Sequence, residues 1–340
     1  MAREPGPEQQ GAPGVPAAGG IAVFILDINR VAETERAVRS VLASGPDDVF
    51  VMLHENGSDA AHAQTMTRMF ADESRVTVSW SESNLGYTGG HNHLLQQLAL
   101  RSSPCAHVLL LNNDAEVLPG AIAALRSALQ SRPQSGIAGP RILRLEQQDI
   151  VAADGAIACL WLMQQHFRNA GRRVTRCPVT APVAVPFVSG ACLMLGFDLF
   201  RRLGGFDAQF FAYFEDWDLS RRAQALGYGS LHVPAAAVLH AGSLTVGKDS
   251  ALFHFLMTRN RVLMAQKHLP ARVFVLVFLP GFLVSRVLFK SAQLLVQRHM
   301  EGIRGLFLAL RWLLAPAQER SRFWPLSAHR GVTAGRPDHG

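Results

Sequence analysis

Short apolar runs alternate with helically spaced apolar positions along the first 131 residues. IAVFIL (21–26) is a continuous apolar run of the kind a strand buried on both faces of a parallel sheet requires. Between Glu33 and Ser44, residues Ala37, Val38, Val41 and Leu42 recur at helical spacing, and VFVML (49–53) completes a strand, helix, strand unit. The alternation continues with a helix over 60–70, the strand VTVSW (76–80), a helix over 88–100, the strand HVLLL (107–111) and a helix over 119–131. This order predicts an α/β fold built on a doubly wound, mostly parallel sheet flanked by helices.

Beyond residue 131 the pattern loosens. VPFVSGACLML (185–195) reads as one further buried strand interrupted at Ser189 and Gly190. FFAYFEDWDLSRRAQALGY (210–228) passes from an aromatic loop into a helix that Gly227 stops, and VPAAAVLH ends a strand at His240. Sheets of this kind bind ligands beyond the carboxyl ends of their strands. The residues there are polar: Asp27 and Asn29, His54 to Gly57, Asn84 and Gly86, and Asn112 to Asp114. They are expected to converge on one cleft.

Charge changes the picture at the C-terminus. The chain of 340 residues has net charge +7, yet residues 259–330 hold 12 Lys and Arg against Glu301 and Glu319, so the remainder is slightly acidic. The basic stretch is also rich in Leu, Val and Phe, which favours an anionic membrane surface over nucleic acid, and no helix-turn-helix or zinc-finger spacing supports DNA or RNA. RVFVLVFLPGFLVSRVLF (272–289) is broken by Pro280 and Arg286, so an in-plane interfacial helix pair is expected rather than a membrane span, with Lys290, Arg298, Arg304 and Arg311 following. A helical cap packed on the catalytic domain is the competing expectation. Cys105, Cys159, Cys177 and Cys192 are widely spaced and fit free thiols in a reducing cytoplasm. The N-terminus lacks the apolar core of a signal peptide. The expected organisation is a disordered leader (1–19), a catalytic domain (20–258) with a nucleotide-binding half (20–117) and an acceptor-binding half (118–258), a basic apolar helical appendage (259–330) and a disordered tail (331–340). The expected location is the cytoplasm, peripheral on the inner face of the cell membrane.

Two segments carry chemistry. LNND (111–114) sets a carboxylate at the mouth of a buried strand, where a hard divalent cation would neutralise a diphosphate leaving group; taken alone, it fits a turn equally well. FEDWD (214–218) crowds three carboxylates among aromatic residues, an environment that raises proton affinity and suits Asp216 as a general base beside Glu215. Asp218 reads instead as a charge at a helix N-terminus. SNLGYTGGHN (83–92) brings backbone amides toward a helix start that favours phosphate.

In order, HENGSDA, SNLGYTGGHN, LLLNNDAEV, GGFDAQFFAYFEDWDLSRRAQALGY and TRNRVLMAQKH resemble the motifs of family 2 inverting glycosyltransferases of the GT-A fold, in the rhamnosyltransferase-like bacterial branch. The resemblance covers about Ile21 to His268. It implies that Glu55 and Asn84 hold the base and ribose of a nucleotide, that Asp114 and His240 bind Mg²⁺ or Mn²⁺, and that Asp216 is the base. Glu55 stands where that family has Asp, and Asn112 replaces the first Asp of its metal motif. Further candidates are Asn29, Gly86, Gly90, Asn92 and Asn113 for the nucleotide sugar, and Ser189, Gly190 and Trp217 for the acceptor. The implied reaction moves a hexose, rhamnose among the sugars, from a dTDP- or UDP-sugar to a glycan or lipid-linked acceptor of a cell-envelope polysaccharide. A sugar nucleotidyltransferase would need a Gly-rich basic loop after the first strand, which DINRVAETE (27–35) does not supply, and a non-catalytic sugar-nucleotide scaffold would not need all these groups retained.

Overall fold

A computed structural model describes residues 19–101, 105–178, 180–242 and 250–322, so the expected leader (1–19), except for Gly19, and the tail over 331–340 lie outside the described residues. Strand β1 (Ile21–Asp27) lies at the centre of the parallel half of the sheet, between β2 (Val49–Asn56) and β4 (His107–Asn112), with β3 (Val76–Ser81) at the edge. Its apolar run is continuous because both faces are covered. Ile21, Val23 and Ile25 pack with helices α1 (Val31–Ser44), α2 (Ala60–Met69) and α4 (Ala121–Ser131), whereas Ala22 and Phe24 pack with α3 (Gly86–Ala99), α5 (Phe197–Arg202) and α6 (Glu215–Ala225).

The other half of the sheet departs from simple alternation. β6 (Ser135–Arg144) and β12 (Gly229–His240) run parallel to each other, and β11 (Cys192–Gly196) lies antiparallel between β4 and β6. The central order is β12, β6, β11, β4, β1, β2, β3, with β10 (Val183–Val185) outside β12. Short strands β5 (Ala115–Val117) and β7 (Val151–Ala153) pair with β12 and β6, and β8 (Ala156–Cys159) with β9 (Gln164–Phe167) forms a separate hairpin. The single strand expected over 185–195 is therefore a correction: β10 ends at Val185, β11 begins at Cys192, and the residues between them form a connection. Pro186 has no amide hydrogen to offer a ladder, and the Gly190 carbonyl is taken by the Tyr87 hydroxyl at 2.7 Å.

Helix α7 (Ala251–His268) follows, and residue 258, where the catalytic domain was expected to end, falls inside it. Then come a helical segment, Ala271–Val296, with π-helical turns on both sides of Pro280, and a final helix, Met300–Leu314.

Candidate active site

Three groups of side chains meet at the carboxyl ends of β1, β2, β4 and β12. The parallel register sets Asp27 of β1 opposite Glu55 of β2, and both are about 1% exposed. Asp27 Oδ1 accepts hydrogen bonds from Thr34 Oγ1 at 2.7 Å and Asn113 Nδ2 at 2.8 Å, and Oδ2 lies 2.5 Å from His62 Nε2. Burial opposes ionisation of Asp27, but its hydrogen bonds from His62, Glu55 and Thr34 hold its carboxyl below the ordinary value. Glu55 bears the consequence: burial first, and the Asp27 charge next, push it up to about 9. Both Glu55 oxygens are buried, with Oε1 3.5 Å from His62 Nε2, so a neutral, proton-bearing carboxyl stands beside Asp27. His62 is shifted upward, chiefly by its bond to Asp27.

The second group grows from the LNND turn. His240 Nε2, at the end of β12, lies 3.1 Å from Asp114 Oδ1 and 3.3 Å from Asn112 Nδ2, and the Ala241 amide donates to the Asp114 carbonyl at 3.0 Å. Residues 114 and 240 are thus held together by the pairing of β5 with β12, His240 opposite Ala115. Asn113 ties this turn to Asp27 and Thr34. An open cavity of about 400 Å³ borders His240 and is lined by Arg144, Gln147 and Gly242.

The third group is the acid run. Asp216 Oδ2 accepts from the Gly190 amide at 3.0 Å and Oδ1 from the Trp217 amide at 2.8 Å. Burial raises Asp216 to about 6 against these two amides. Glu215 is raised well above its usual value by burial and the neighbouring Asp216, and its Oε2 is unpartnered. Tyr87 closes the group through its bond to Gly190, and its phenol is shifted up by burial and by Glu215 and Asp216. Gly190 is placed so that a Cβ would lie 3.3 Å from the Tyr87 hydroxyl and 3.4 Å from Glu215 Oε1. The Asn112 amide donates to the Ala191 carbonyl at 2.9 Å, which joins this group to the LNND turn.

Some expected site residues have other occupations. Asn92 grips Phe206 by donating to its carbonyl and accepting from its amide, both at 2.8 Å. Asn84 Oδ1 accepts from the Gly86 amide at 2.8 Å, and Gly90 allows Leu26 and Asn56 to approach α3 closely. Gly86, at φ 73°, lies against the Phe211 ring where a Cβ would collide. Trp217 is fully buried, stacked on Phe187 and Phe214, so it shapes the wall from behind. Asn29, at φ 54°, is exposed at the rim and its amide donates to Ser58 Oγ at 3.0 Å. Ser189 lies beside Gly190, with its hydroxyl accepting from the Ala191 amide at 3.3 Å. Asp218 is structural: it meets Arg222 at 2.7 Å, His268 at 2.8 Å and Lys267 at 2.9 Å, and these partners hold it near 2 against the cost of burial.

Sequence reading named Asp27 only as one of the polar strand-end residues and passed over three other contributors. Asp27 had a signal, an acid ending an apolar strand. His62, Thr34 and Tyr87 had none, because only the fold brings them close. Arg259 and Asn260 of α7 also act here, on the loop that presents the acids. Phe211, Tyr213 and Phe214 all have positive φ, at 65°, 68° and 72°. The Asn260 amide nitrogen lies 2.7–2.9 Å from the carbonyls of Phe210, Ala212 and Tyr213, and Arg259 donates to those of Gln209 and Phe210 at 2.7 and 2.8 Å. Left-handed backbone at three bulky residues is costly, and these bonds fix it.

Comparison with known proteins agrees with this geometry. A family model described as glycosyltransferase like family 2 matches residues 16–265. An N-acetylglucosaminyl-diphospho-decaprenol L-rhamnosyltransferase of Mycobacterium tuberculosis (strain ATCC 25618 / H37Rv) is 29% identical over 233 residues, covering 64% of this chain and 74% of that protein. Among solved structures, GalNAc-T7 with UDP, GalNAc and Mn²⁺ superposes with a TM-score of 0.55 at 18% identity, covering 65% of this chain but only 43% of that one. The mannosyltransferase PcManGT from Pyrobaculum calidifontis, in complex with GDP-Man and Mn²⁺, superposes with a TM-score of 0.50 at 14% identity, covering 93% of this chain and 81% of that one. The two superpositions identify the architecture as GT-A.

Proposed function

The chain belongs to the glycosyltransferase like family 2, and from that premise we propose that it is an inverting, cation-dependent transferase moving a sugar from a nucleotide diphosphate to a hydroxyl of a lipid-linked glycan. The observation that carries this reading is the position of Asp216. Its carboxylate is fixed by two backbone amides and, raised to about 6, is ionised at neutral pH yet basic enough to accept a hydroxyl proton. In the step proposed, the acceptor oxygen bonds to the anomeric carbon on the face opposite the diphosphate. The bond from that carbon to the diphosphate oxygen breaks, and the hydroxyl proton passes to Asp216. Burial and, next, the Asp216 charge disfavour ionisation of the neighbouring Glu215 and so limit competing charge.

The residues of the LNND turn fit a divalent cation, since a hard carboxylate oxygen and an imidazole nitrogen converge there beside an open cavity. Held by Asp114 and His240, such an ion would neutralise charge on the departing diphosphate. Asp27, Glu55 and His62 also lie close enough together to ligate a cation. The Asp27 oxygens, however, already accept from Thr34, Asn113 and His62, bonds that an ion would have to break. We assign that trio, with its proton-bearing Glu55, to recognition of the nucleotide base by hydrogen bonding.

The rhamnosyltransferase relative and the UDP and GDP-Man complexes support a nucleotide sugar donor, with dTDP-rhamnose or a UDP-sugar the first to be tried, and the relative's name supports a diphospho-polyprenol acceptor. Asp216→Asn tests the core of the reading. It should lower transfer by on the order of a thousand-fold or more while donor binding, followed calorimetrically, stays within a few-fold. Ordinary turnover by the variant would remove Asp216 as the base.

A further inference from the structure

The C-terminal helices carry a surface that transfer does not use. The segment Ala271–Val296 is long and apolar enough to cross a membrane, yet part of it is fixed to the catalytic domain. Phe278 and Phe282 are buried in the same core as Val262, Met264 and Ala265 of α7. Arg286 donates to Thr258 Oγ1 at 2.9 Å, and Arg261 donates to Ser285 Oγ at 3.2 Å. A helix clamped in this way cannot stand across a bilayer without breaking those contacts.

The remainder of its surface faces outward. Leu276 is 74% exposed, Leu288 64%, Phe289 70% and Val296 85%, and Leu314 of the final helix is 87% exposed. Of the 18 large apolar side chains exposed among the described residues, 13 lie between residues 275 and 314. Single exposed apolar residues are ordinary, but a concentration on two successive helices marks an interaction surface. Its charge selects the partner. Residues 271–314 hold six Lys and Arg against Glu301 alone, and Arg272, Arg298, Arg304 and Arg311 are exposed. A second copy would bring the same positive charge against this face, whereas anionic headgroups complement it while the acyl boundary receives the Leu, Val and Phe side chains.

We propose that the outer face of residues 271–314 docks in the plane of an anionic lipid surface. The final helix also reaches the catalytic loop, because Ala309 and Trp312 pack with Phe211, Phe255 and Tyr213. Docking therefore orients the aromatic loop of the active site relative to the bilayer. The proposal is independent of the catalytic reading, since binding is measured without turnover.

The test is sedimentation of the full chain with vesicles of equimolar phosphatidylglycerol and phosphatidylcholine, compared with phosphatidylcholine alone. Binding should be on the order of several hundred-fold tighter to the anionic vesicles, since each of the four exposed arginines near the surface contributes about five-fold. Leu276→Glu/Leu288→Glu/Phe289→Glu should abolish it, with folding checked by circular dichroism. Should the triple variant misfold, Arg272→Gln/Arg298→Gln decides, and it should weaken binding to the anionic vesicles by on the order of twenty-five-fold. Absence of wild-type binding, binding unaffected by the variant that decides, or a solution dimer dissolved by either variant would overturn the proposal.

Discussion

Asp216 and Asp218 stand two positions apart on one helical turn, and their surroundings drive them in opposite directions. Burial lifts Asp216 to about 6, whereas Arg222, Lys267 and His268 hold Asp218 near 2. On the proposed mechanism, the rate should be level above pH 6 and fall about ten-fold per unit below it, as a proton fills the base. A profile of kcat/KM against pH checks this, and a flat profile down to pH 5 would exclude it. The stability signs follow by linkage. The folded-state value of Asp216 exceeds its unfolded value of 3.8, so its proton favours the fold and its ionisation above about pH 6 opposes folding. Asp216→Asn should consequently keep or raise the melting temperature while losing activity. For Asp218 the folded value is depressed, so its contribution is complete above the unfolded value of 3.8 and is lost as pH falls toward 2. The places of Asp216, Asp114 and His240 in the fold were legible in the sequence because each follows, opens or ends a patterned element. Within the Asp27, Glu55 and His62 trio, Asp27 and Glu55 were legible as strand ends, but His62 was not, since the entry of α2 brings it to them and no local pattern records that.

Helix α7 acts as the splint of the catalytic loop. Its Asn260 is fully buried, and truncation would leave the Ala212 and Tyr213 carbonyls without the Asn260 donor, while Arg259 still serves Phe210. Asn260→Ala should therefore cost ~2–4 kcal/mol, at 1–3 kcal/mol for each unsatisfied buried group with partial relaxation, read as a lower midpoint in urea. Because the loop then presents Asp216 poorly, kcat should fall on the order of a hundred-fold while KM for the donor changes little. Equal loss from a destabilising core substitution remote from the loop, such as Leu125→Ala, would show that stability alone explains the effect. At this scale the helices and strands before residue 131 were readable, since continuous apolar runs and helical spacing agree with two-sided burial. The division between β10 and β11, and the β8 and β9 hairpin, were not. Strands of three to five residues are too short to set a period that announces them.

Across the whole molecule, the cleft combines an uncharged carboxyl at Glu55 with a cation-compatible pair at Asp114 and His240. A nucleoside diphosphate should engage both ends at once, so UDP or dTDP with Mn²⁺ should raise the melting temperature more than the sum of the separate additions. At a hundred times Kd, the ligand would add about 2.7 kcal/mol. Thermal shift across a nucleotide panel reads this directly, and additive shifts would separate the two sites. The GT-A architecture was visible in the order of motifs, whereas the antiparallel insertion of β11 was not, because which late strand fills a gap is decided by the sheet and not by the strand. That insertion sets an order of assembly. β4 is made early but is completed on one side only by Cys192–Gly196, after some eighty further residues have been synthesised. Until then the emerging chain carries an open edge at one of its most apolar strands, the state most exposed to wrong pairing during biosynthesis.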